Sequence, residues 1–97
     1  MSLSLSDPSL LKSQAYINGQ WVDADNGATF PVTNPANGEL IVEVAKAGAA
    51  ETARAIDAAD QAMRAWKKQP AKARAQVLRK WFDLMMANQE DLSLIHI

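Results

Sequence analysis

The apolar residues of this 97-residue chain change their spacing at Gly48, and this change divides the chain into two halves. Before Gly48, apolar and polar residues alternate in short runs, a spacing typical of β-strands. After it, apolar residues recur every three or four positions, as in a helix with one apolar face. The sequence therefore predicts an α+β segment, with two β-hairpins followed by an αα-hairpin.

The two β-hairpins are predicted within residues 15–45, each around an Asn-Gly pair, at residues 18–19 and 37–38. Such a pair favours a type I′ turn, which needs two residues with positive φ. Pro31 lies in the third β-prone run. Because proline cannot donate a hydrogen bond to a strand ladder, we expect that run at a sheet edge.

Residues 49–92 are predicted to form two amphipathic helices, separated at Gln69-Pro70. Proline disfavours helix in the residue before it and suits the first turn of a new helix. Two helices joined by so short a break are typical of an αα-hairpin. The most apolar cluster on them is interpreted as a core stripe and not as a cofactor or partner groove: Trp66, Trp81, Phe82, Met85 and Met86.

Residues 1–14 are interpreted as an N-terminal extension, with a short helical turn that Asp7 caps and Pro8 begins. They lack the basic and apolar regions of a signal peptide and the Arg-rich character of a transit peptide. Nowhere does the chain contain the roughly 20 consecutive apolar residues of a membrane span. We therefore expect a cytoplasmic protein with no membrane partner.

Large apolar side chains are scarce in this chain. The apolar residues are 48% of the sequence, or 47, and 18 of these are Ala, which leaves 29 larger ones. The predicted strands are also too few to form an independent sheet. We therefore expect the chain to need another apolar surface, supplied by the rest of a larger protein or by a partner.

The charges nearly cancel, with 10 Lys and Arg against 11 Asp and Glu. A net charge of -1 excludes an electrostatic case for binding nucleic acid or anionic membranes. One basic stretch around the helix break is interpreted as solvated surface and not as an RNA or acidic-ligand site: Lys67, Lys68, Lys72, Arg74, Arg79 and Lys80.

No complete active site is predicted from the residue types. The chain has no Cys, which excludes a thiol nucleophile and thiolate metal ligands supplied by it. His96 has no nucleophile or orienting group nearby in the sequence, and Asp57 and Asp60 are interpreted as a solvated helix face. No Gly-rich phosphate loop lies between a strand and a helix. We therefore assign no catalytic, cofactor-binding or metal-binding residue.

Several segments in order resemble the N-terminal part of the aldehyde dehydrogenase superfamily. Residues 16–21 resemble its first hairpin, and residues 32–39 resemble its Asn-Pro turn, with Asn37 where the family usually has Thr. The resemblance continues through residues 55–59, 65–66, 74 and 78–79 and covers about residues 8–92. Residues 24–27 and 78–86 are most similar to bacterial succinate-semialdehyde dehydrogenases, with glutarate-semialdehyde dehydrogenases close behind.

This resemblance implies the N-terminal part of a Rossmann-like cofactor-binding domain. It implies a longer homo-oligomeric enzyme that oxidises succinate or glutarate semialdehyde to the diacid with NAD or NADP. The family's catalytic Cys, general-base Glu, oxyanion Asn and cofactor loops all come later than residue 97, so this chain alone is expected to be inactive and to bind no cofactor. Some family members hold a structural monovalent cation near the Asn-Pro turn. Thr33 would be the candidate, but the acidic partner lies beyond the chain.

Residues 93–97 depart from the family pattern, and they lie within the segment 92–97. That segment is identical to the translation of a transposase-end adapter used in sequencing libraries, so we interpret it, with His96, as non-native. Two hypotheses remain. The first is a truncated piece of a semialdehyde dehydrogenase, which should expose apolar area on Leu78, Trp81, Phe82 and Met85. The second is a stand-alone, non-catalytic interaction module derived from that fold, which should fold alone.

Overall fold

The computed structural model describes residues 4–96, without the side chain of His96. Parts of the predicted extension (residues 1–3) and of the segment interpreted as non-native (His96 side chain and Ile97) thus lie outside the described residues. The predicted order of two hairpins followed by helices is confirmed. The elements are a 3₁₀ turn Pro8–Leu10, β1 Ala15–Ile17, β2 Gln20–Val22, β3 Thr29–Thr33, β4 Leu40–Ala45, α1 Ala49–Trp66, α2 Ala71–Ala87 and α3 Gln89–His96.

Strands β1 and β2 form the first antiparallel hairpin. Asn18 and Gly19 have φ values of 51° and 75°, as the predicted turn requires. Tyr16 pairs with Trp21 across the strands, and their ring centroids lie 4.8 Å apart. The Nζ atom of Lys12 lies 4.8 Å from the centroid of the Trp21 ring. This aromatic pair lies at the surface of a sheet too small to bury it.

Strands β3 and β4 form the second antiparallel hairpin, with Pro31 opposite Glu43. Within residues 4–96, β3 pairs with β4 alone, so the expectation that Pro31 lies in an edge strand is confirmed. Asn34 organises the turn: its carbonyl accepts from the Gly38 N–H at 2.6 Å, and its Oδ1 accepts from the Ala36 N–H at 2.9 Å. The turn thus satisfies its own backbone groups.

The helical half contains three helices in residues 49–96, where two were predicted up to residue 92. The break before Pro70 is at the predicted position. The second break, at Asn88, was missed. There the backbone leaves helical geometry (φ -113°, ψ 23°), and the Asn88 side chain donates to the Leu84 carbonyl at 2.9 Å. The same carbonyl also accepts from the Asn88 backbone N–H at 3.2 Å, so the side chain and the backbone of Asn88 together close the last turn of α2.

The described residues enclose almost no apolar core. Ala24, 5% exposed, is the one buried apolar residue among them, and the chain is only 18 Å thick along its shortest axis. The core-stripe interpretation is wrong for these residues, because no element packs over the stripe. Its five members are between 37% and 60% exposed: Trp66, Trp81, Phe82, Met85 and Met86. Helices α1 and α2 thus follow one another but enclose no core.

None of the described helices is long and apolar enough to cross a membrane.

Candidate functional site

One polar cluster fixes the loop after β2 to the start of α1. Glu51, the third residue of α1, is 7% exposed, and its Oε2 accepts from the Asp25 N–H at 3.2 Å. The Asp25 carboxylate in turn accepts two hydrogen bonds from the Arg54 guanidinium, at 2.9 and 2.6 Å. We call Asp25, Glu51 and Arg54 the loop clamp. Gly48 caps α1 without a side chain, so Glu51 supplies the acceptor that this helix end needs.

The charges of the loop clamp are fixed by its own hydrogen bonds. The pKa of Glu51 is lowered because its carboxylate accepts from backbone N–H groups, first its own and then that of Asp25. The Arg54 side chain lowers the pKa of Asp25 by donating to it, and the same bond raises the pKa of Arg54. A general acid or base works best with a pKa near the operating pH. In the loop clamp, the pKa values of Asp25, Glu51 and Arg54 are all moved further from neutral pH. The cluster is therefore suited to a structural role and not to proton transfer.

The loop clamp should be lost only at acidic pH. Because the pKa values of Asp25 and Glu51 are lowered from 3.8 and 4.5, the clamp contributes stability above those values and loses it as the pH falls through the lowered ones. Titration of the carboxyl carbons by NMR should place both midpoints below those values. In Arg54→Met, the Asp25 midpoint should rise toward 3.8, whereas an unchanged midpoint would contradict the ion pair.

A second polar cluster fixes the N-terminal extension to the other end of the molecule. Asp91, in the first turn of α3, is 5% exposed, and its two carboxylate oxygens accept from the backbone N–H groups of Ser6 and Asp7 at 2.8 and 2.9 Å. Asp7 then caps the 3₁₀ turn by accepting from the Ser9 N–H at 3.1 Å. We call this the arm clamp. It holds the extension across the joint between α2 and α3.

Most of the large exposed apolar side chains lie on the helices. Leu78, Trp81, Phe82 and Met85 on α2 are all exposed, as the fragment hypothesis predicted. An open groove of 530 Å³ lies beside the helix break, lined mostly by apolar side chains: Ala62, Ala65, Trp66, Gln69, Ala73 and Val77. Exposed apolar patches mark interaction surfaces, ligand grooves or aggregation-prone surfaces.

Among the described side chains, the carboxylates considered in the sequence lie outside any catalytic arrangement, whereas the His96 side chain is not among those described. Asp57 and Asp60 are exposed, and Asp60 pairs with Arg64 on the next turn at 3.6 Å, so the solvated-face interpretation holds. Thr33 is an exposed residue at the end of β3. In residues 4–96, no three His, Cys, Asp or Glu side chains are grouped as metal ligands. The candidate functional site is therefore the exposed apolar surface of the helices.

The two clamps were not anticipated from the sequence. Glu51 had a usable signal, because a Glu three residues after a helix cap often reaches back to the first turn. No sequence signal pointed to Asp91, because its partners, Asp7 and Ser6, lie 84 and 85 residues away along the chain. Local spacing carries no information about such a contact.

Comparison with known proteins places these features in a family. The sequence profile of the aldehyde dehydrogenase family matches residues 21–97. The chain is 58% identical over 91 residues to glutarate-semialdehyde dehydrogenase of Pseudomonas aeruginosa. It is 53% identical over 91 residues to the NADP⁺-dependent succinate-semialdehyde dehydrogenase of Escherichia coli. Each alignment covers 94% of this chain but 19% of the relative, so the chain spans about a fifth of their length.

The same relation appears in three dimensions. The crystal structure of succinate-semialdehyde dehydrogenase from Burkholderia pseudomallei superimposes with a TM-score of 0.92 at 58% identity. The superposition covers 95% of this chain and 19% of that one. The arrangement of hairpins and helices is thus that of the N-terminal part of a much longer chain.

Proposed function

The chain belongs to the aldehyde dehydrogenase family, and we propose that it is the N-terminal segment of a longer NAD- or NADP-dependent semialdehyde dehydrogenase. The observation that carries this proposal is the exposure of large apolar side chains on α2 in a segment whose fold matches one fifth of a solved relative. Leaving such side chains in water is unfavourable, at roughly 25 cal/mol per Å² of apolar surface. The remaining four fifths of a family chain would cover them.

Within that protein, we propose that this segment is structural. The named relatives act on glutarate and succinate semialdehyde, and we propose the same class of substrate, oxidised to the diacid, for the longer protein. The thiol nucleophile that the resemblance implies must come from outside these 97 residues, which contain no Cys. Alone, the segment would be inactive. Homo-oligomerisation and a cytoplasmic location stay predictions.

The start of α1 does not fit the phosphate groups of a dinucleotide cofactor. Phosphate groups bind at helix N-termini, where free N–H groups and the helix dipole favour an anion. At the start of α1, that position already holds the Glu51 carboxylate, whose lowered pKa keeps it charged. A second anion there would be repelled. We therefore propose that contacts to NAD or NADP come from the rest of the longer protein.

The alternative is a stand-alone interaction module that carries no catalysis. The two clamps favour it, because they tie the extension to α3 and the loop after β2 to α1 within this chain. The exposed side chains of Leu78 and Trp81 weigh against it. A monomeric chain with one cooperative melting transition would favour the module. Aggregation with no sharp transition would favour the segment of a longer enzyme.

A chimera tests the proposed function. This chain replaces the matching N-terminal fifth of the Pseudomonas aeruginosa glutarate-semialdehyde dehydrogenase, to which it is 58% identical. We expect the chimera to reduce NAD⁺ or NADP⁺ with glutarate or succinate semialdehyde at a rate within about tenfold of the parent enzyme, a difference of at most about 1.4 kcal/mol in activation free energy. We expect no turnover by the isolated chain. A folded chimera without activity would contradict the proposal.

A further inference from the structure

Three Asn-Gly pairs lie in the strand-rich half of the chain, at residues 18–19, 26–27 and 37–38. All three Asn residues are exposed. In such a pair, the backbone nitrogen of Gly can attack the side-chain amide carbon of Asn, because Gly has no Cβ to hinder the approach. Asn is accordingly one of the chemically labile residues of proteins. Because the dipeptide is the same three times, the fold decides which pair reacts.

The pair at residues 26–27 is held by two hydrogen bonds. The Gly27 N–H donates to the Ala24 carbonyl at 2.8 Å. The Oδ1 atom of Asn26 accepts from the Ala28 N–H at 2.9 Å. The attack requires that the glycine nitrogen lose its proton and that the amide carbon turn toward this nitrogen. Both bonds oppose the attack, because each must break first.

The pair at residues 37–38 is held in the same way. The Gly38 N–H donates to the Asn34 carbonyl at 2.6 Å, and Asn37 Oδ1 accepts from the Glu39 N–H at 3.0 Å. Strands β3 and β4, which flank this turn, pair over five positions. The turn is thus fixed by its own bonds and by the strand ladder that continues from it.

The pair at residues 18–19 has neither kind of bond. Within residues 4–96, the Gly19 N–H has no hydrogen-bond acceptor, and the Asn18 side chain has no hydrogen-bond partner. The φ value of Asn18 is 51°, which is uncommon for a residue with a Cβ. Strands β1 and β2 pair over three positions, and a two-stranded hairpin is only marginally stable by itself. This pair is therefore the easiest of the three to rearrange for the attack.

We infer that Asn18 is a modification site, where the chain deamidates spontaneously with water as the co-reactant. The Gly19 nitrogen forms a bond to Asn18 Cγ, the Cγ–Nδ2 bond breaks, and ammonia leaves with the proton of the Gly19 N–H. Water then opens the resulting five-membered imide at one of its two carbonyls. The product is aspartate or isoaspartate at position 18. In sum, amide and water give carboxylic acid and ammonia, with no change in oxidation state.

Deamidation at this position changes the first hairpin. In isoaspartate the main chain runs through the former side chain, which lengthens it by one carbon. A two-residue turn joins its strands in register only at its native length. The Ile17–Gln20 pair beside the turn is therefore lost first. The added negative charge lies at an open cavity that Asn18 lines together with Arg54 and Asp57.

Peptide mapping by mass spectrometry tests the inference in the chimera with the Pseudomonas aeruginosa enzyme. A cooperative melting transition first establishes that the chimera is folded. It is then incubated at mildly alkaline pH, because the attack requires loss of the N–H proton. We expect Asn18 to deamidate at least about tenfold faster than Asn26 or Asn37, since the bonds at those two pairs are worth about 1.4 kcal/mol or more. Isoaspartate should accumulate at position 18.

Urea provides the matched control. Unfolding removes the hydrogen bonds of all three pairs, so in urea we expect the three rates to agree within about threefold. If Asn18 deamidates no faster than Asn26 or Asn37 in the folded chimera, the inference is overturned. The measurement needs a folded chimera but not an active one. A folded, inactive chimera with rapid deamidation at Asn18 would therefore count against the proposed function and support this inference.

Discussion

Replacement of Trp81 by alanine is expected to destabilise the chimeric dehydrogenase by about 3–5 kcal/mol. The reason is the difference in burial. The Trp81 ring is 60% exposed in this chain, so its removal leaves little cavity. If the rest of a longer protein covers α2, the same change empties a packed site. Urea unfolding of the chimera with and without the substitution measures the loss.

A neighbouring substitution provides the control for Trp81. Lys80 is exposed and lies about 100° from Trp81 around the same helix, so Lys80→Ala should change the stability of the chimera by less than about 0.5 kcal/mol. A loss of less than about 1 kcal/mol from Trp81→Ala in the chimera would contradict the proposal that the rest of the longer protein covers α2. A lowered catalytic constant at an unchanged melting temperature would contradict the structural role assigned to this half of the chain.

Substitution of Asp91 by alanine is expected to release the N-terminal extension from α3. Two backbone N–H groups, those of Ser6 and Asp7, lose a charged acceptor. At about 1.5 kcal/mol or more for each such bond, the loss is about 3 kcal/mol. Hydrogen exchange at these two amides should become about 100-fold faster, since each 1.4 kcal/mol corresponds to a factor of ten. Mass spectrometry of the extension peptide in the chimera measures this rate.

Glu90 provides the control for Asp91. It precedes Asp91 in α3 and is exposed, so Glu90→Ala removes a carboxylate from the same helical turn without touching the arm clamp. We expect exchange at Ser6 and Asp7 to stay within about threefold of the unmutated rate, a change below about 0.7 kcal/mol. Equal acceleration by both substitutions would mean that a general loss of α3, and not the arm clamp, frees the extension.

The hairpins and the first helix break could be predicted because their causes are local. Asn18-Gly19 supplies two residues with positive φ, and Pro70 cannot continue a helix. The break at Asn88 was missed because Asn is only a weak end signal. At this end of α2, the backbone N–H and the side chain of Asn88 both donate to the Leu84 carbonyl, an arrangement that no spacing rule supplies.

The burial of the helix faces could not be predicted from periodicity. A stripe such as Trp66 to Met85 shows which side of a helix avoids water, but not which surface covers it. Within the described residues nothing covers it, so the side chains are exposed. The same limit applies to the two buried carboxylates, Glu51 and Asp91, whose partners are distant in sequence. Long-range contacts depend on the folded arrangement and not on local pattern.

The nucleotide sequence of the gene beyond codon 92 tests the central claim most directly. A single long read through the locus would suffice. If this chain is the N-terminal segment of a semialdehyde dehydrogenase, the open frame should continue from there into a catalytic region that encodes a Cys. Residues 92–97, interpreted as adapter sequence, should then be replaced by other codons. Genomic DNA that encodes those six residues followed by a stop codon would contradict the claim and favour a stand-alone, non-catalytic protein.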